Sequence, residues 1–322
     1  MSANPAPGSA ISLRGLTRRF GEETAVRALT FDVAAGELFG IVGPDGAGKT
    51  TTLRMLAGVL PPSAGDAWIR GVSIAREPER VKSHIAYMSQ RFGLYEELTV
   101  RENIDFYADL YRVPRRERPR RLERLYRFSN LGPFEDRFAG ALSGGMKQKL
   151  SLCCALIHHP EVLLLDEPTF GVDPISRRDL WLILHEMVAE GITIVVSTSY
   201  LDEAERCDRV ALLHHGELLA LDAPARLQAA LPGRMLNVRT AEPRRARELL
   251  RALPGVRRAS LFGDTIHLLL EPGAPDGDAV RPALDAADIA LLALEEVEPS
   301  LEDVFIDRVS SPAPGAQPVE AA

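Results

Sequence analysis

Four short stretches carry residue types at spacings that suit phosphate chemistry. The first, GPDGAGKT (43–50), fits G-x-x-x-x-G-K-[ST] and lies between an apolar strand-like run, LFGIV (38–42), and a helix-like run, TTLRMLAGV (51–59). Glycines let main-chain N–H groups turn inward around a polyphosphate, and the following helix presents its positive end. Lys49 supplies a point charge for the β- and γ-phosphates, and the Thr50 hydroxyl suits Mg²⁺. The nucleotide-binding set expected here is Gly43, Pro44, Asp45, Gly46, Ala47, Gly48, Lys49, Thr50 and Thr51.

The second stretch, VLLLDE (162–167), is an apolar strand ending in two acids, with Asp166 placed for Mg²⁺ and Glu167 placed as general base beside the γ-phosphate. The third, LSGGM (142–146), precedes a helix expected to begin near Lys147, so Ser143, Gly144 and Gly145 form another anion-binding arrangement. Two such helix starts in one domain are odd unless they serve different nucleotides. The fourth, IVVSTSYLDEAE (194–205), is a β-branched run, with Ile192 to Val196 delivering Ser197, Thr198, Ser199 and Tyr200 to a strand tip. No histidine, lysine or arginine stands among those hydroxyls.

The elements that position these groups follow from periodicity. Residues 11–40 alternate apolar and polar with a turn at Gly21, which predicts antiparallel strands. Residues 91–160 are mostly helical. Then come the strand 162–166, a helix over 176–191, the strand 192–196 and a hairpin over 209–222 turning at His215-Gly216. Strands alternating with helices imply a mainly parallel sheet. From residue 232 the order is strand, helix, strand, strand, helix, strand, a small α+β unit of ferredoxin-like order. The termini, 1–10 and 311–322, have nothing to bury and are expected to be disordered.

With 322 residues, 46% hydrophobic and 26% charged, the chain has an ordinary globular composition long enough for two domains. No run approaches the ~18–20 apolar residues of a membrane helix, and the first ten residues lack a basic n-region and an apolar h-region. A cytoplasmic protein is expected. The net charge of −7 argues against a nucleic-acid partner. Three cysteines, Cys153, Cys154 and Cys207, form neither a disulfide framework nor a CxxC pattern and read as packing residues. The run 112–127 has eight arginines against two glutamates and reads as a solvated helix face.

Across residues 11–222 the motifs and their order resemble the ATP-binding subunits of ABC transporters: the phosphate loop, a glutamine after a short strand (Gln90), LSGG at 142–145 and the acidic strand. The resemblance implies an α/β P-loop NTPase of ABC type, with a mainly parallel sheet, an antiparallel β subdomain and a helical subdomain at about 91–160. It occupies 11–231, followed by the α+β domain at 232–310. It also implies ATP and Mg²⁺ as cofactors, with Gln90 and Asp166 joining Thr50 at the metal. Asp173 in GVDP takes the D-loop position, and Phe20 takes that of the aromatic that stacks on adenine. Two such domains face head to tail in that family, so Ser143, Gly144 and Gly145 of one chain would close on ATP held by Lys49 of the other. Partner and first chain would be a homodimer or a pair of homologues.

The C-terminal part, with EPSLEDVFIDRV (298–309), is similar to the exporter branch that includes daunorubicin-type drug-resistance ATPases. There the permease is a separate integral-membrane chain, which implies a peripheral subunit at the cytoplasmic face coupled through the segment after Gln90 (91–103). One departure stands inside the site: the family's histidine after this strand is replaced by Ser199, which cannot become cationic. Glu167, Gln90 and Ser199 are the expected catalytic set. Two other readings remain: a soluble ATPase of the same type outside transport, and a nucleotide-binding subunit impaired in hydrolysis by Ser199.

Overall fold

The computed structural model describes residues 8–90, 93–274, 277 and 279–310. The disorder expected for residues 1–7 and 311–322, and any role of Arg91 and Phe92 after Gln90, lie outside the described residues. Two compact units meet in sequence after Pro224, seven residues before the expected boundary, because a short helix (α8, Pro224–Ala229) opens there.

In the first unit, β1 (Ser9–Phe20), β2 (Glu23–Ala34), β4 (Ala64–Ile69) and β5 (Val72–Ser73) form an antiparallel sheet in the order β2-β1-β4-β5. Strand β1 begins at Ser9, so the last residues of the expected N-terminal tail are paired: Ser9 lies opposite Ala34. The second sheet contains β3 (Leu38–Val42), β6 (Ile85–Met88), β7 (Val162–Asp166), β8 (Thr193–Thr198), β9 (Arg209–His214) and β10 (Glu217–Asp222), ordered β10-β9-β3-β8-β7-β6. Its neighbours run parallel except for the β9–β10 hairpin. Every residue of β3, β7 and β8 is buried, the pattern of parallel strands covered on both faces.

The connecting helices are α1 (Lys49–Leu56), α2 (Pro78–Val81), α3 (Val100–Leu110), α4 (Arg118–Ser129), α5 (Gly144–Leu156), α6 (Pro174–Ala189) and α7 (Leu201–Ala204). Three of these, α3, α4 and α5, make up the helical region expected at 91–160. Helix α6 starts two residues before the expected position because the Asp173 carboxylate accepts the N–H groups of Ile175 and Ser176 and caps it there. Strand β8 runs on through Ser197 and Thr198, beyond the expected end at Val196.

The second unit contains β11 (Arg234–Thr240), α9 (Pro243–Arg251), β12 (Val256–Phe262), β13 (Thr265–Leu270), α10 (Val280–Ala286) and β14 (Leu291–Val297), with an antiparallel strand order β12-β13-β11-β14. That is the ferredoxin-like arrangement. Leu250 of α9 and Leu284 of α10 pack with Val238, Ile266 and Leu268 of the strands. A further helix, α11 (Leu301–Ser310), has no counterpart in the periodicity reading; Ser300 and Asp303 cap it reciprocally, and Asp303 also holds His267 of β13 at 3.0 Å. All three cysteines are free and buried, and burial pushes the Cys153 thiol up to about 12, which leaves it inert as a nucleophile.

Candidate active site

The carboxyl ends of β3, β7 and β8 lie side by side, where open α/β sheets bind ligands. After β3 the chain makes the glycine loop and enters α1. Gly48 has φ +97°, and a Cβ there would stand 2.5 Å from the Ala25 carbonyl oxygen, so only glycine fits this helix entry. Helix α1 has no side-chain cap, which leaves its leading N–H groups to an anion. Lys49 is only 5% exposed; its ammonium donates to the carbonyls of Gly43 (2.8 Å) and Pro44 (3.1 Å) and lies 3.1 Å from Glu167 Oε1. The Thr50 hydroxyl donates to Asp166 Oδ1 at 2.9 Å.

Asp166 ends β7 and Glu167 follows it, and the hydroxyls at the tip of β8 explain how they are held. Ser197, fully buried, donates to Asp166 Oδ1 at 2.7 Å. The same hydroxyl accepts the Glu167 N–H at 3.0 Å, and the Ser197 carbonyl accepts it at 3.1 Å. These bonds fix Glu167 with φ +48°, a left-handed backbone that costs a non-glycine residue on the order of 1 kcal/mol. Tyr87 donates to Asp166 Oδ2 at 3.2 Å, and burial, with the Asp166 charge second, raises the phenol to about 12. Gln90 donates to Glu167 Oε2 at 3.3 Å. The geometry thus sets Gln90 beside Glu167; among the described residues it makes no hydrogen bond to Asp166 or Thr50.

The next hydroxyl serves a second acid. Thr198 (3.0 Å) and Thr169 (2.7 Å) both donate to Glu203 Oε2, while the Arg177 guanidinium lies 3.3 Å from the other oxygen and over the Tyr200 ring. Burial raises the Glu203 carboxyl. Ser199 is half-buried and its hydroxyl has no partner among the described residues. Of the four hydroxyls, two are positioning groups, one stacks under a guanidinium and one is left over. Nothing in the local alternation distinguishes them, because the partners of Ser197 and Tyr200 lie more than 20 residues away and that of Thr198 lies in α7.

The other anion-binding motif is built differently. The exposed Ser143 caps α5 by accepting the Met146 N–H at 3.3 Å, and Gly144 has open space around it. Gly145 is buried, and a Cβ there would stand 2.2 Å from Ser176 Oγ, so the start of α5 interlocks with the Asp173-capped start of α6. Main-chain N–H bonds hold the Asp173 carboxyl below its ordinary range. Gln148 of α5 donates to the Pro168 carbonyl, just beyond Glu167. Among the described residues no hydrogen bond or ion pair joins Ser143, Gly144 or Gly145 to the glycine loop. Phe20, 47% exposed at the end of β1, lies under the Arg18 guanidinium (4.6 Å).

Lys49, Thr50, Asp166, Glu167 and Gln90 are thus brought together, with Ser197 and Tyr87 as unforeseen supports. The joined hydroxyl and carboxylate of Thr50 and Asp166 are hard oxygen donors of the kind Mg²⁺ takes, so the residues present fit that ion. A Cys- or His-based metal reading has no support, since no cluster of three ligating side chains occurs among the described residues.

Comparison with known proteins agrees with this geometry. Residues 26–170 match the family model described as ABC transporter, and residues 224–309 match the C-terminal domain of ATP-binding protein DrrA1-3-like. The chain is 44% identical over 315 residues to the probable multidrug ABC transporter ATP-binding protein YbhF of Escherichia coli (strain K12), covering 97% of this chain and 54% of that protein. It therefore spans about half the length of that relative. It is 37% identical over 299 residues to Nod factor export ATP-binding protein I of Rhizobium sp. (strain N33), covering 92% of this chain and 96% of the relative. Among solved structures, an ATP-binding subunit of an ABC transporter superposes with a TM-score of 0.63 at 32% identity, covering 69% of this chain and 92% of the other. A dimeric post-hydrolysis ATP-binding cassette bound to ADP and Pi gives 0.60 at 26% identity, covering 66% and 98%.

Proposed function

This chain belongs to the ATP-binding subunits of ABC transporters, and from that membership we propose that it is the ATP-hydrolysing motor subunit of a membrane exporter. The observation that carries the proposal is the convergence of Lys49, Thr50, Asp166 and Glu167 at the start of α1. ATP would lie with its phosphates along the N–H groups of Gly46 to Thr51 and its adenine against Phe20. Lys49 would exchange Glu167 for the γ-phosphate, and Glu167, released but still held by Ser197 and Gln90, would take a proton from the attacking water. Thr50 and Asp166 would hold Mg²⁺, which neutralises phosphate charge when bound. Ser199 offers a hydroxyl at the strand tip in place of an imidazole, which supports an active but slower site.

A second nucleotide-binding domain, a copy of this chain or a homologue, would supply Ser143, Gly144 and Gly145 to the same ATP. The dimeric neighbour structure, bound to ADP and Pi, supports the pairing of two such domains. No helix of the described residues is long and apolar enough to cross a membrane. The translocation path would belong to an integral-membrane permease on a separate chain, as in the exporter branch that the C-terminal part resembles. The chain would sit peripherally at the cytoplasmic face. Permease loops would contact the segment after Gln90, where Tyr95 is 40% exposed and packs edge-on at 4.7 Å against Phe106 of α3, itself 38% exposed. Nucleic acid has no part in this reading. Two measurements test it: ATP turnover by the purified chain, and recovery of an integral-membrane protein when the chain is isolated from native membranes. A chain that neither turns over ATP nor brings down a permease would overturn it.

A further inference from the structure

The arginine run that motif reading left as a solvated face is divided by the fold into two classes. Arg118, Arg121, Arg124 and Arg127 make ion pairs with Asp109, Glu117, Glu190 and Glu123 respectively. Arg112, Arg115, Arg116 and Arg120 are exposed and make no ion pair among the described residues. Every acid between 109 and 127 is already engaged by one of the first class, so the second class is an uncompensated positive patch. It lies in the connection between α3 and α4 and the first turn of α4. Immediately before it stand Leu110 and Tyr111, 60% and 39% exposed.

Four unmatched guanidiniums beside an exposed leucine and tyrosine make a surface with two complementary parts, a cationic one and an apolar one. Anionic lipid headgroups over acyl chains match both. A phosphate backbone alone would match the charge and leave Leu110 without a partner. The chain's total charge of −7 opposes approach to an anionic surface only at long range. At about 0.1 M salt the screening length is ~10 Å, so the local patch governs the contact. We propose that the α3–α4 connection, through Arg112, Arg115, Arg116 and Arg120 with Leu110 and Tyr111, docks on the anionic headgroups of the membrane at which this subunit works. The inference rests on the peripheral membrane placement proposed above. It differs from permease docking because it requires no protein partner.

The test is co-sedimentation of the purified full chain with vesicles of phosphatidylcholine alone and of phosphatidylcholine with 30% phosphatidylserine. Binding should be confined to the anionic vesicles and should weaken in 0.5 M salt. Each arginine near such a surface contributes about 1 kcal/mol, or roughly fivefold, so the quadruple variant Arg112→Gln, Arg115→Gln, Arg116→Gln, Arg120→Gln should lose at least a hundredfold in partitioning. ATP affinity measured in solution should be unchanged in that variant, which shows that it is folded. Leu110→Ser with Tyr111→Ser should weaken binding less and leave its salt dependence intact. Equal sedimentation with both vesicle types, a quadruple variant that binds as the native chain does, or binding to duplex DNA with none to anionic vesicles would each overturn the proposal. A chain that binds ATP and ignores vesicles sinks this inference alone; a chain that binds vesicles and not ATP sinks the motor assignment.

Discussion

Helices α1 and α5 both begin where a glycine-rich turn suits an anion, yet the two starts are built on opposite principles. At α1 no side chain caps the helix, and Lys49, Thr50, Asp166 and Glu167 converge from two elements within hydrogen-bond or ion-pair distance. At α5 the cap is made by Ser143 itself, Ser143 and Gly144 are exposed, and no charged side chain stands among residues 143–146. A helix end contributes only about half a unit charge of dipole, too little to fix a polyphosphate unaided. The first start has charged and hydroxyl side chains already gathered around it, as the proposed phosphate site requires. On the proposed reading, the second is a surface that would become part of a site only when another chain brings the phosphate to it. That reading would account for two anion motifs in one domain.

Substitutions at the two starts should therefore fail in different ways. Glu167→Gln keeps the shape and most hydrogen bonds but removes the base, so turnover should fall roughly 10²- to 10⁴-fold while ATP stays bound; native turnover in this variant would require another group to activate water. Lys49→Ala deletes a buried cation, a change that costs about 2–5 kcal/mol at such sites, so ATP affinity measured by calorimetry should drop from thirtyfold to a few thousandfold. Unchanged affinity would remove Lys49 from the phosphate site. At the other start, Gly144→Asp places a carboxylate in open space at the end of α5. Acid at a helix N-terminus favours the helix, so the fold should not suffer. Binding of ATP to the separate chain should stay within twofold while turnover falls about tenfold or more. A Gly144→Asp variant with weakened ATP binding in the separate chain would erase the contrast between the two starts.

Smaller effects resolve the strand tip. Ser197→Ala removes the bond to Asp166 and one acceptor of the Glu167 N–H, so turnover should fall roughly tenfold with little change in KM. An equal loss in KM alone would make Ser197 a binding group. Ser199→Ala should cost no more than a few-fold, since that hydroxyl has no partner among the described residues. If the space beyond Ser199 still suits an imidazole, Ser199→His should raise turnover by ~10-fold; a fall would show a pocket reshaped around serine.

The sequence showed most where chemistry and spacing are local. The glycine loop, the acidic strand end and the βαββαβ order of the second unit could all be read from runs of a few residues. What escaped depends on partners distant in the chain. Ser197 and Ser199 sit two residues apart with the same hydroxyl, and only the pairing of β8 with β7 assigns one to Asp166 and leaves the other without a partner among the described residues. Tyr87 reads as an ordinary strand aromatic until β6 is set beside β7. Within the arginine run, the pairing of Arg124 likewise depends on Glu190, 66 residues beyond it. Two misses were local and had a signal: Ser300 with Asp303 marks the start of α11, and Asp173 before Pro174 marks that of α6. The unit boundary was misplaced for a similar reason, since Pro224 opens α8 in a stretch with no apolar period long enough to reveal a helix.

The contrast between the two helix starts is tested most directly by the mass of the Glu167→Gln chain in solution, measured by light scattering with and without saturating ATP. If the exposed start of α5 completes the phosphate site of a second copy, ATP should double the mass, and adding Gly144→Asp should return it to that of one chain with ATP still bound. A Glu167→Gln chain that binds ATP at native affinity and keeps the mass of a single chain would contradict the account.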